Sequence, residues 1–382
     1  FMKASRSSVC IKKVSDYNTV AVTKAVSDIM DALGYTGNCF EGKKVVIKPN
    51  LVRKMDPAGG GTTHPSFVFA AASAAKERGA ADVLIAESPS GPYNEGALHG
   101  SYRVCGVADA AAEAGASLNF DCNSEWLELA GGKRVKRFHI IRPIADADVI
   151  INLSKLKTHG LTTLSAAVKN LFGTVPGTEK LEMHARFPEV GDFCGMIVDL
   201  CRLHYERTDM INIVDAVVAM EGNGPTNGKP RKLGFVVAGR NPFAVDYVCE
   251  KCVSFDGKTP TVAISESEGF FSRDTVTLVG EPIENVRIND FVMPDSRKGL
   301  VRFLANARIM RLFEPRPTVN GSKCVCCGEC VRSCPKKTIA LDMKKHRAVI
   351  NAENCIKCFC CQELCPHDAV KIKRSLIVTN LR

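Results

Sequence analysis

The chain has 382 residues, a formal net charge of +10 and an apolar fraction of 45%. This length can bury two or three hydrophobic cores, and the composition is that of an ordinary globular protein. Its apolar runs are too short to cross a bilayer, and residues 1–10 lack the apolar segment of a secretory signal. Scattered cysteines are typical of a reducing compartment, so we expect a cytoplasmic location with no membrane span.

Strand-like and helix-like segments alternate over residues 1–296. The predicted strands are 9–13, 44–48, 82–86, 148–153, 210–218 and 235–238, and the predicted helices are 19–33, 66–78, 102–114, 161–172, 192–205 and 242–254. This alternation predicts an α/β fold, a mostly parallel sheet with flanking helices as in Rossmann-like proteins. We assign residues 1–296 to this domain, either as one body or as two lobes of about 1–155 and 156–296.

A basic segment follows the large domain. Residues 297–315 have the pattern of an amphipathic linker helix, and basic side chains recur between Arg297 and Arg316. This charge is either a solvated helix face or a docking surface for an acidic redox partner. No nucleic-acid-binding motif accompanies it, so we expect no nucleic-acid partner.

The C-terminal region contains two copies of the pattern C-x2-C-x2-C-x3-C-P, spaced 31 residues apart. In such a repeat, three cysteines of one run and the fourth of the other hold each cubane cluster. One predicted set of ligands is Cys324, Cys327, Cys330 and Cys365, and the other is Cys355, Cys358, Cys361 and Cys334. Zinc is the alternative, but zinc sites do not need the third cysteine or the Cys-Pro pair.

We therefore predict two [4Fe-4S] clusters in a small α+β domain over residues 316–382, which resembles the bacterial two-cluster ferredoxins. Cys326 and Cys360 lie beside predicted ligands but do not change the spacing. We expect both to pack as small apolar groups. Clusters of this type favour an anaerobic host.

Polar segments follow several predicted strands of the large domain, at 48–50, 87–92, 152–160 and 215–228. Ligands of parallel sheets bind beyond the carboxyl ends of the strands, so we expect these segments to form one cleft. If the strand conformation persists, Lys155, Lys157 and His159 share one face and can bind a carboxylate or phosphate. We assign Lys155, Lys157, Asn50 and Glu221 to substrate binding, leaving surface or structural roles as the alternative.

Three histidines and one lysine are the candidate catalytic residues. His64 follows a glycine-rich loop and opens a predicted helix, and His159 ends the polar segment after a strand. Lys169 has apolar neighbours, and burial lowers the pKa of a lysine. His184 follows 15 residues later. We predict that His64, His159, Lys169 and His184 transfer protons or hold a metal or a further cofactor that the sequence does not identify.

Six motifs together resemble the DUF362 family. They are KVVIKPN (44–50), TTHP (62–65), ESPSG (87–91), DVIINLSKLKTHG (148–160), VKNLFGTVPG (168–177) and IVDAVVAMEGNGP (213–225). Many members of this family carry a C-terminal two-cluster ferredoxin module. The family name describes no activity, so the resemblance implies an architecture.

A more distant similarity is to nickel-pincer lactate racemase. It rests on the order of TTHP, a histidine, a lysine ten residues later and a further histidine. The similarity implies that Lys169 would hold a pincer nucleotide cofactor and His184 nickel, with His159 and His64 as the acid–base pair. The chain departs from that family at residues 165–168 and in its appended cysteine-rich domain.

The leading hypothesis is an iron-sulfur oxidoreductase that receives electrons from a ferredoxin-, flavodoxin- or reductase-like partner and reduces a small anionic substrate or cofactor in the cleft. The first alternative is a non-catalytic electron-transfer or assembly protein that serves a partner redox enzyme. The second alternative is a metal-cofactor isomerase related to lactate racemase.

Overall fold

The computed structural model describes residues 8–295 and 316–373, in which the main feature is a nine-stranded sheet. The strands of residues 8–295 are β1 (Ser8–Lys13), β2 (Val45–Lys48), β3 (Val83–Ile85), β4 (Ser117–Leu118), β5 (Ser124–Glu128), β6 (Arg137–Ile141), β7 (Val149–His159), β8 (Thr163–Ser165), β9 (Asp209–Glu221), β10 (Lys229–Gly239) and β11 (Thr277–Gly280). Their order in the sheet is β11-β1-β10-β9-β7-β2-β3-β4, with β8 paired to β7, while β5 and β6 form a separate hairpin. Only β8 and β10 oppose the common direction within this sheet, which confirms the predicted mostly parallel α/β fold.

Helices cover both faces of the sheet. They are α1 (Thr19–Ala32), α2 (Pro65–Glu77), α3 (Glu95–Val104), α4 (Val107–Glu113), α5 (Arg142–Ala145), α6 (Ala167–Asn170), α7 (Glu179–Arg186), α8 (Val190–Arg207), α9 (Pro242–Cys252) and α10 (Pro260–Ser267). Strand β7 has one core on each side, since Ile151 packs with α1 and α2 and Ile150 packs with α8 and α9. A strand buried on both faces requires a continuous apolar sequence, which is why residues 149–153 read so clearly as a strand.

The predicted helix over residues 161–172 is wrong. This region contains a turn, the short strand β8, the four-residue helix α6 and a 3₁₀ turn. Leu161, Leu164, Val168 and Leu171 all enter one core, and their spacing of three or four residues imitates a helix. Thr163 has a φ of 67°, which a regular right-handed helix does not allow.

Other differences are smaller. The predicted helix over 102–114 is two helices, α3 and α4, because Gly106 between them has a φ of 70°. Strand β7 extends to His159 rather than ending at residue 153, and β9 extends to Glu221. The hairpin β5–β6, helices α7 and α10 and strand β11 are further elements that the sequence pattern did not predict.

Residues 316–373 form two small antiparallel ladders. The elements are β12 (Arg316–Val319), α11 (Glu329–Arg332), β13 (Ile339–Asp342), β14 (Arg347–Ile350), α12 (Cys360–Glu363) and β15 (Val370–Lys373), with β12 paired to β15 and β13 to β14. The predicted linker helix over 297–315 lies outside the described residues. None of the helices in the described ranges has the length and apolar character needed to span a bilayer.

Asp246 on α9 anchors the short helix α6. Its carboxylate accepts hydrogen bonds from the backbone N–H groups of Ala167 and Val168, at 2.7 and 3.2 Å. These are donors at the first turn of α6, which have no partner inside the helix. The side chain of Asp246 thereby fixes the position of Lys169, one residue further on.

We expect Asp246→Ala to lower the free energy of unfolding by about 1–3 kcal/mol, because two buried N–H groups lose their acceptor. Urea denaturation measures this change. The matched control is Asp109→Ala, which removes an exposed carboxylate from the first turn of α4 and should stay within about 0.5 kcal/mol of the unaltered protein. Equal losses in the two variants would contradict this role of Asp246.

Candidate functional site

The 31-residue repeat of the cysteine runs is also a repeat of backbone conformation. Cys326 and Lys357 both have a positive φ, as do Gly328 and Phe359 two residues later in the two loops. Each positive φ reverses the chain tightly, which lets three cysteines of a loop face one centre. Behind the loops, the sulfur of the fourth cysteine accepts the N–H of the residue four positions later, in Cys334 at 3.3 Å and in Cys365 at 3.2 Å.

The two loops surround two small cavities. One cavity, which we call site I, is lined by the predicted ligands Cys324, Cys327, Cys330 and Cys365 and also by Cys326. The other, site II, is lined by Cys355, Cys358, Cys361 and Cys334. Each cavity thus contains one of the two sets of four thiols predicted from the crossed pattern, so the residues present fit two four-iron clusters. Which cysteines bind which cluster stays a prediction.

A third cavity, with a volume of about 60 Å³, lies at the carboxyl ends of β2 and β7. We call it the interdomain cavity, because residues of the large domain and of α12 line it together. Its polar lining residues are Lys48, Asn50, Glu87, Ser88, Ser90, Lys157, His159, Ser165, Lys169, Asn170, Lys180, His184 and Glu363. The predicted convergence of the polar segments after strands β2, β3 and β7 is therefore what the structure shows.

A buried ion pair lines the interdomain cavity. Lys48 Nζ lies 2.5 Å from Glu87 Oε2, and both side chains are almost fully inaccessible to solvent. Gly173 passes directly over this pair, because a Cβ atom there would lie 2.0 Å from a Glu87 oxygen. Such close approach admits no side chain, which accounts for the glycine after Phe172.

A chain of buried amides connects the sheet to the cavity. Asn212 on β9 accepts from Asn152 on β7 at 2.8 Å, and Asn152 accepts from Asn170 at the same distance. Asn170 in turn accepts from Asn50 at 2.8 Å, and Asn50 accepts from Lys157 Nζ at 2.6 Å. Each amide uses both its donor and its acceptor, which fixes the orientation of Asn50 and Lys157.

Burial controls the charge of the lysines in the cavity. It lowers the pKa of Lys157 to about 7, with a further contribution from the nearby Lys169 ammonium. It also lowers the pKa of Lys180 to about 7, although Lys180 Nζ donates to the backbone oxygens of Ser88 and Pro89. These two amines can therefore change charge near neutral pH, which ordinary lysines do not.

His159 joins the two domains. Its Nδ1 accepts the backbone N–H groups of Leu161 and Thr162, at 3.1 and 3.3 Å. Because Nδ1 is an acceptor, the ring proton of the neutral tautomer is on Nε2, which lies 3.3 Å from Glu363 Oε1. Burial would raise the pKa of Glu363, but His159, His184 and Lys169 lower it to about 2.

Lys169 and His184 both line the cavity, and each has a nitrogen without a hydrogen-bond partner among the described residues. The Lys169 ammonium lies 4.5 Å from the centre of the Phe172 ring, and no hydrogen bond or ion pair joins it to another described residue. Burial lowers its pKa. His184 stacks on Phe193 at 4.4 Å, and its buried Nδ1 has no hydrogen-bond partner among the described residues. Both groups are available to a bound molecule.

Two of the predicted site residues, His64 and Lys155, lie together outside the interdomain cavity. His64 caps the N-terminus of α2, and its ring stacks on Tyr17 at 3.7 Å. Lys155 Nζ donates to Asp215 at 2.8 Å and to the Tyr17 hydroxyl at 2.6 Å. Neither residue lines the interdomain cavity. The pairing of β7 with β9 is irregular between Lys155 and Lys157, and the two amines reach different partners on either side of this irregularity.

Glu221 is also outside the cavity. It ends strand β9, pairs with Arg231 on β10 at 2.9 Å and accepts the backbone N–H of Val292 at 3.0 Å. These contacts join the end of the β9–β10 hairpin to the chain near residue 292. The structure therefore brings Asn50, Lys157, His159, Lys169 and His184 together, and it separates His64, Lys155 and Glu221 from them.

Sequence reasoning missed Lys180, Asn170 and Glu363. Lys180 lies on a helix that was not predicted, and Asn170 was part of a motif without an assigned role. Glu363 could have been found by aligning the two cysteine runs, since its counterpart 31 residues earlier is the exposed Arg332. A carboxylate that is buried where the repeat has an exposed arginine indicates a contact specific to the second half.

The segment around α12 is held against the large domain by further polar contacts. Arg53 donates to the backbone oxygen of Cys365 and pairs with Asp368 at 3.1 Å. Thr226 donates to the backbone oxygen of Glu363 at 3.1 Å, and Gln362 donates to that of Asn223 at 3.1 Å. These contacts fix site II beside the cavity. Cys360, which lies between two of the site II cysteines, itself lines the cavity.

Comparisons with known proteins identify two families in this chain. Residues 45–251 match the model of a domain of unknown function, DUF362, and residues 316–366 match that of a 4Fe-4S dicluster domain. A thylakoid-associated protein of Synechocystis is 31% identical over 271 residues, which cover 69% of this chain and 79% of the relative. A crystal structure of a Thermotoga maritima protein aligns with 63% of this chain and 60% of its own, at 12% identity and a TM-score of 0.38.

We expect Cys324→Ser and Cys365→Ser to abolish the same electron paramagnetic resonance signal, because the crossed pattern places both sulfurs on one cluster. Each variant should lose roughly four irons per chain. Cys326→Ser and Cys360→Ser are matched controls, since these neighbouring cysteines are not predicted ligands, and both should keep the full iron content. If Cys365→Ser instead removes the signal that Cys355→Ser removes, the crossed assignment is wrong.

Proposed function

The chain belongs to the DUF362 family and carries a 4Fe-4S dicluster domain, and from this premise we propose that it is an oxidoreductase that reduces a small organic anion in the interdomain cavity. Clusters of this kind supply single electrons. One observation carries the proposal. Cys360 and Glu363 flank the site II cysteine Cys361 and line the same cavity as Lys157, His159 and Lys169. An electron carrier without a substrate has no need for such a cavity.

The charge of the cavity supports an anionic ligand. Four lysines and two glutamates line it, so the excess is 4 − 2 = 2 positive charges when every amine is protonated. Buried cations without enough counter-charges are unfavourable, and an anion that enters the cavity would relieve this cost. The small volume of the cavity favours a compact carboxylate over a nucleotide.

Protons must accompany electrons in such a reaction. Reduction of a carbonyl group or an activated double bond to its saturated product takes up two electrons and two protons. Lys169 is a suitable donor, because its lowered pKa makes it more acidic than an ordinary lysine. Glu363 keeps His159 in the tautomer with its proton on Nε2, and Nδ1 of His184, which has no hydrogen-bond partner among the described residues, can orient the substrate.

We further propose a reducing compartment such as the cytosol, where a redox protein supplies the electrons. The support is that none of the eighteen cysteines, all of which lie within the described residues, forms a disulfide, and ten of them are outside the two predicted ligand sets.

The decisive experiment uses protein purified without oxygen. Thermal-shift assays identify which short carboxylates and oxo-acids stabilise it, and each of these is then mixed with the reduced protein while the cluster absorbance is followed. We expect at least one organic anion to reoxidise the protein, and at least tenfold more slowly in Lys169→Met with unchanged iron content. Reoxidation that is equally fast in the variant, or absent for every anion that binds, would reject the proposal and favour a carrier that serves a partner enzyme.

We expect Lys169→Met to abolish anion binding and yet raise the free energy of unfolding by about 1 kcal/mol. The substitution keeps the length of the side chain and removes a desolvated amine that has no hydrogen-bond partner among the described residues. Chemical denaturation and thermal shift with each anion measure the two effects.

The matched control is Lys180→Met, which removes another buried amine from the same cavity. Lys180 donates to Ser88 and Pro89, so this variant should lose about 1–3 kcal/mol of stability. If Lys169→Met is destabilised to the same extent, Lys169 has a structural role rather than a ligand-binding one.

We expect anion binding to weaken as the pH rises from 6 to 8. Lys157 and Lys180 each have a pKa of about 7, so both are mostly protonated at pH 6 and mostly neutral at pH 8. The dissociation constant should rise roughly tenfold for each amine that must be charged. Calorimetry with sulfate, whose charge is constant in this range, tests the effect, and an affinity that does not vary with pH would contradict it.

A further inference from the structure

We propose that electrons reach the protein through the surface over site I, and that the donor is an acidic one-electron carrier protein. This surface, which we call the site I face, comprises the loop before α11 and the turn between β13 and β14. Its exposed side chains include Lys323, Val325, Cys327, Arg332, Leu341, Met343, Lys344, Lys345 and His346. The inference rests on the proposed function, since it names the partner that supplies the electrons.

Apolar side chains are unusually exposed here. Val325 has 59% of its surface exposed, Met343 62% and Leu341 37%. Val325 and Leu341 line site I together with the exposed cysteine Cys327. Exposed apolar side chains clustered next to a redox centre are typical of a contact surface for another protein.

The net positive charge of the site I face favours an acidic partner. Four cations, Lys323, Arg332, Lys344 and Lys345, oppose two carboxylates, so the net charge is 4 − 2 = +2. Both carboxylates are already paired, Glu329 with Arg332 at 2.8 Å and Asp342 with Lys345 at 3.4 Å. Lys323 and Lys344 have no ion-pair partner among the described residues. A basic rim around an apolar centre is complementary to an acidic partner and accelerates its association.

The two halves of the repeat show why site I faces outward. Arg332 and Glu329 in the first half are solvent-accessible, and their counterparts 31 residues later are Glu363 and Cys360, which line the interdomain cavity. Site II therefore has the large domain beside it, whereas the corresponding side of site I is exposed. Electrons that enter at the site I face can pass from site I to site II, which lies beside the cavity.

The test is stopped-flow reduction of the holoprotein by flavodoxin hydroquinone, with bleaching of the cluster absorbance as the readout. Lys323→Glu combined with Lys344→Glu changes the net charge of the face from +2 to −2. The matched control is Lys336→Glu combined with Lys337→Glu, which makes the same change of charge in an open groove of the same domain, in the turn before β13 and near Cys334. Both variants are checked for iron content and reduction potentials.

We expect the first variant to be reduced at least tenfold more slowly at low ionic strength, with the difference disappearing at high salt, and the control to stay within twofold. The assignment would be overturned by equal slowing of both variants, by slowing of the control alone, by slowing that persists in high salt, or by no effect. A flavodoxin that cannot reduce the unaltered protein would overturn the class of partner. Because no substrate is present, failure here is distinguishable from failure of the proposed reductase activity.

Discussion

The contact of Glu363 with His159 is the interaction on which the site depends. Glu363 comes from the dicluster domain, and its carboxylate is buried among the imidazoles and ammonium groups of the large domain. A buried carboxylate is tolerated only with cationic or hydrogen-bonding partners, and buried amines equally need an anion. Each domain therefore supplies the charge that the other one lacks. This mutual requirement fixes site II beside the cavity, so residues of both domains together form one site.

The remaining charge is unbalanced, and this imbalance has a physical meaning. The Lys48–Glu87 pair neutralises itself, and Glu363 is the one further carboxylate among the described residues that line the cavity with Lys157, Lys169 and Lys180. Desolvation then lowers the pKa of each amine, which reduces the energetic cost but does not remove it. Selection for stability alone would replace such groups with apolar ones. Their presence is consistent with a site whose occupied form contains an additional negative charge.

The sequence predicted those features that depend on local pattern. The strand up to residue 153 and the polar segment after it could be read from composition, so Lys157 and His159 were found. The two sets of cysteines followed from spacing, because a tight loop admits only one arrangement of three thiols. The helix at 161–172 was wrong because core positions spaced by three or four residues occur here in a turn and a short strand. Glu363 was missed because its partners are distant along the chain.

The differences between the two halves of the repeat separate the functions of the two sites. Repeated loops have the same backbone, so any residue that differs in polarity between them reports a difference in surroundings. Glu329 and Arg332 are in contact with each other at the surface, whereas Cys360 and Glu363 are enclosed. One half of the internal repeat is thus exposed to solvent, and the other half contacts the large domain. The proposed entry of electrons at site I and their delivery from site II follow from this difference between the halves, which a free-standing symmetrical carrier does not require.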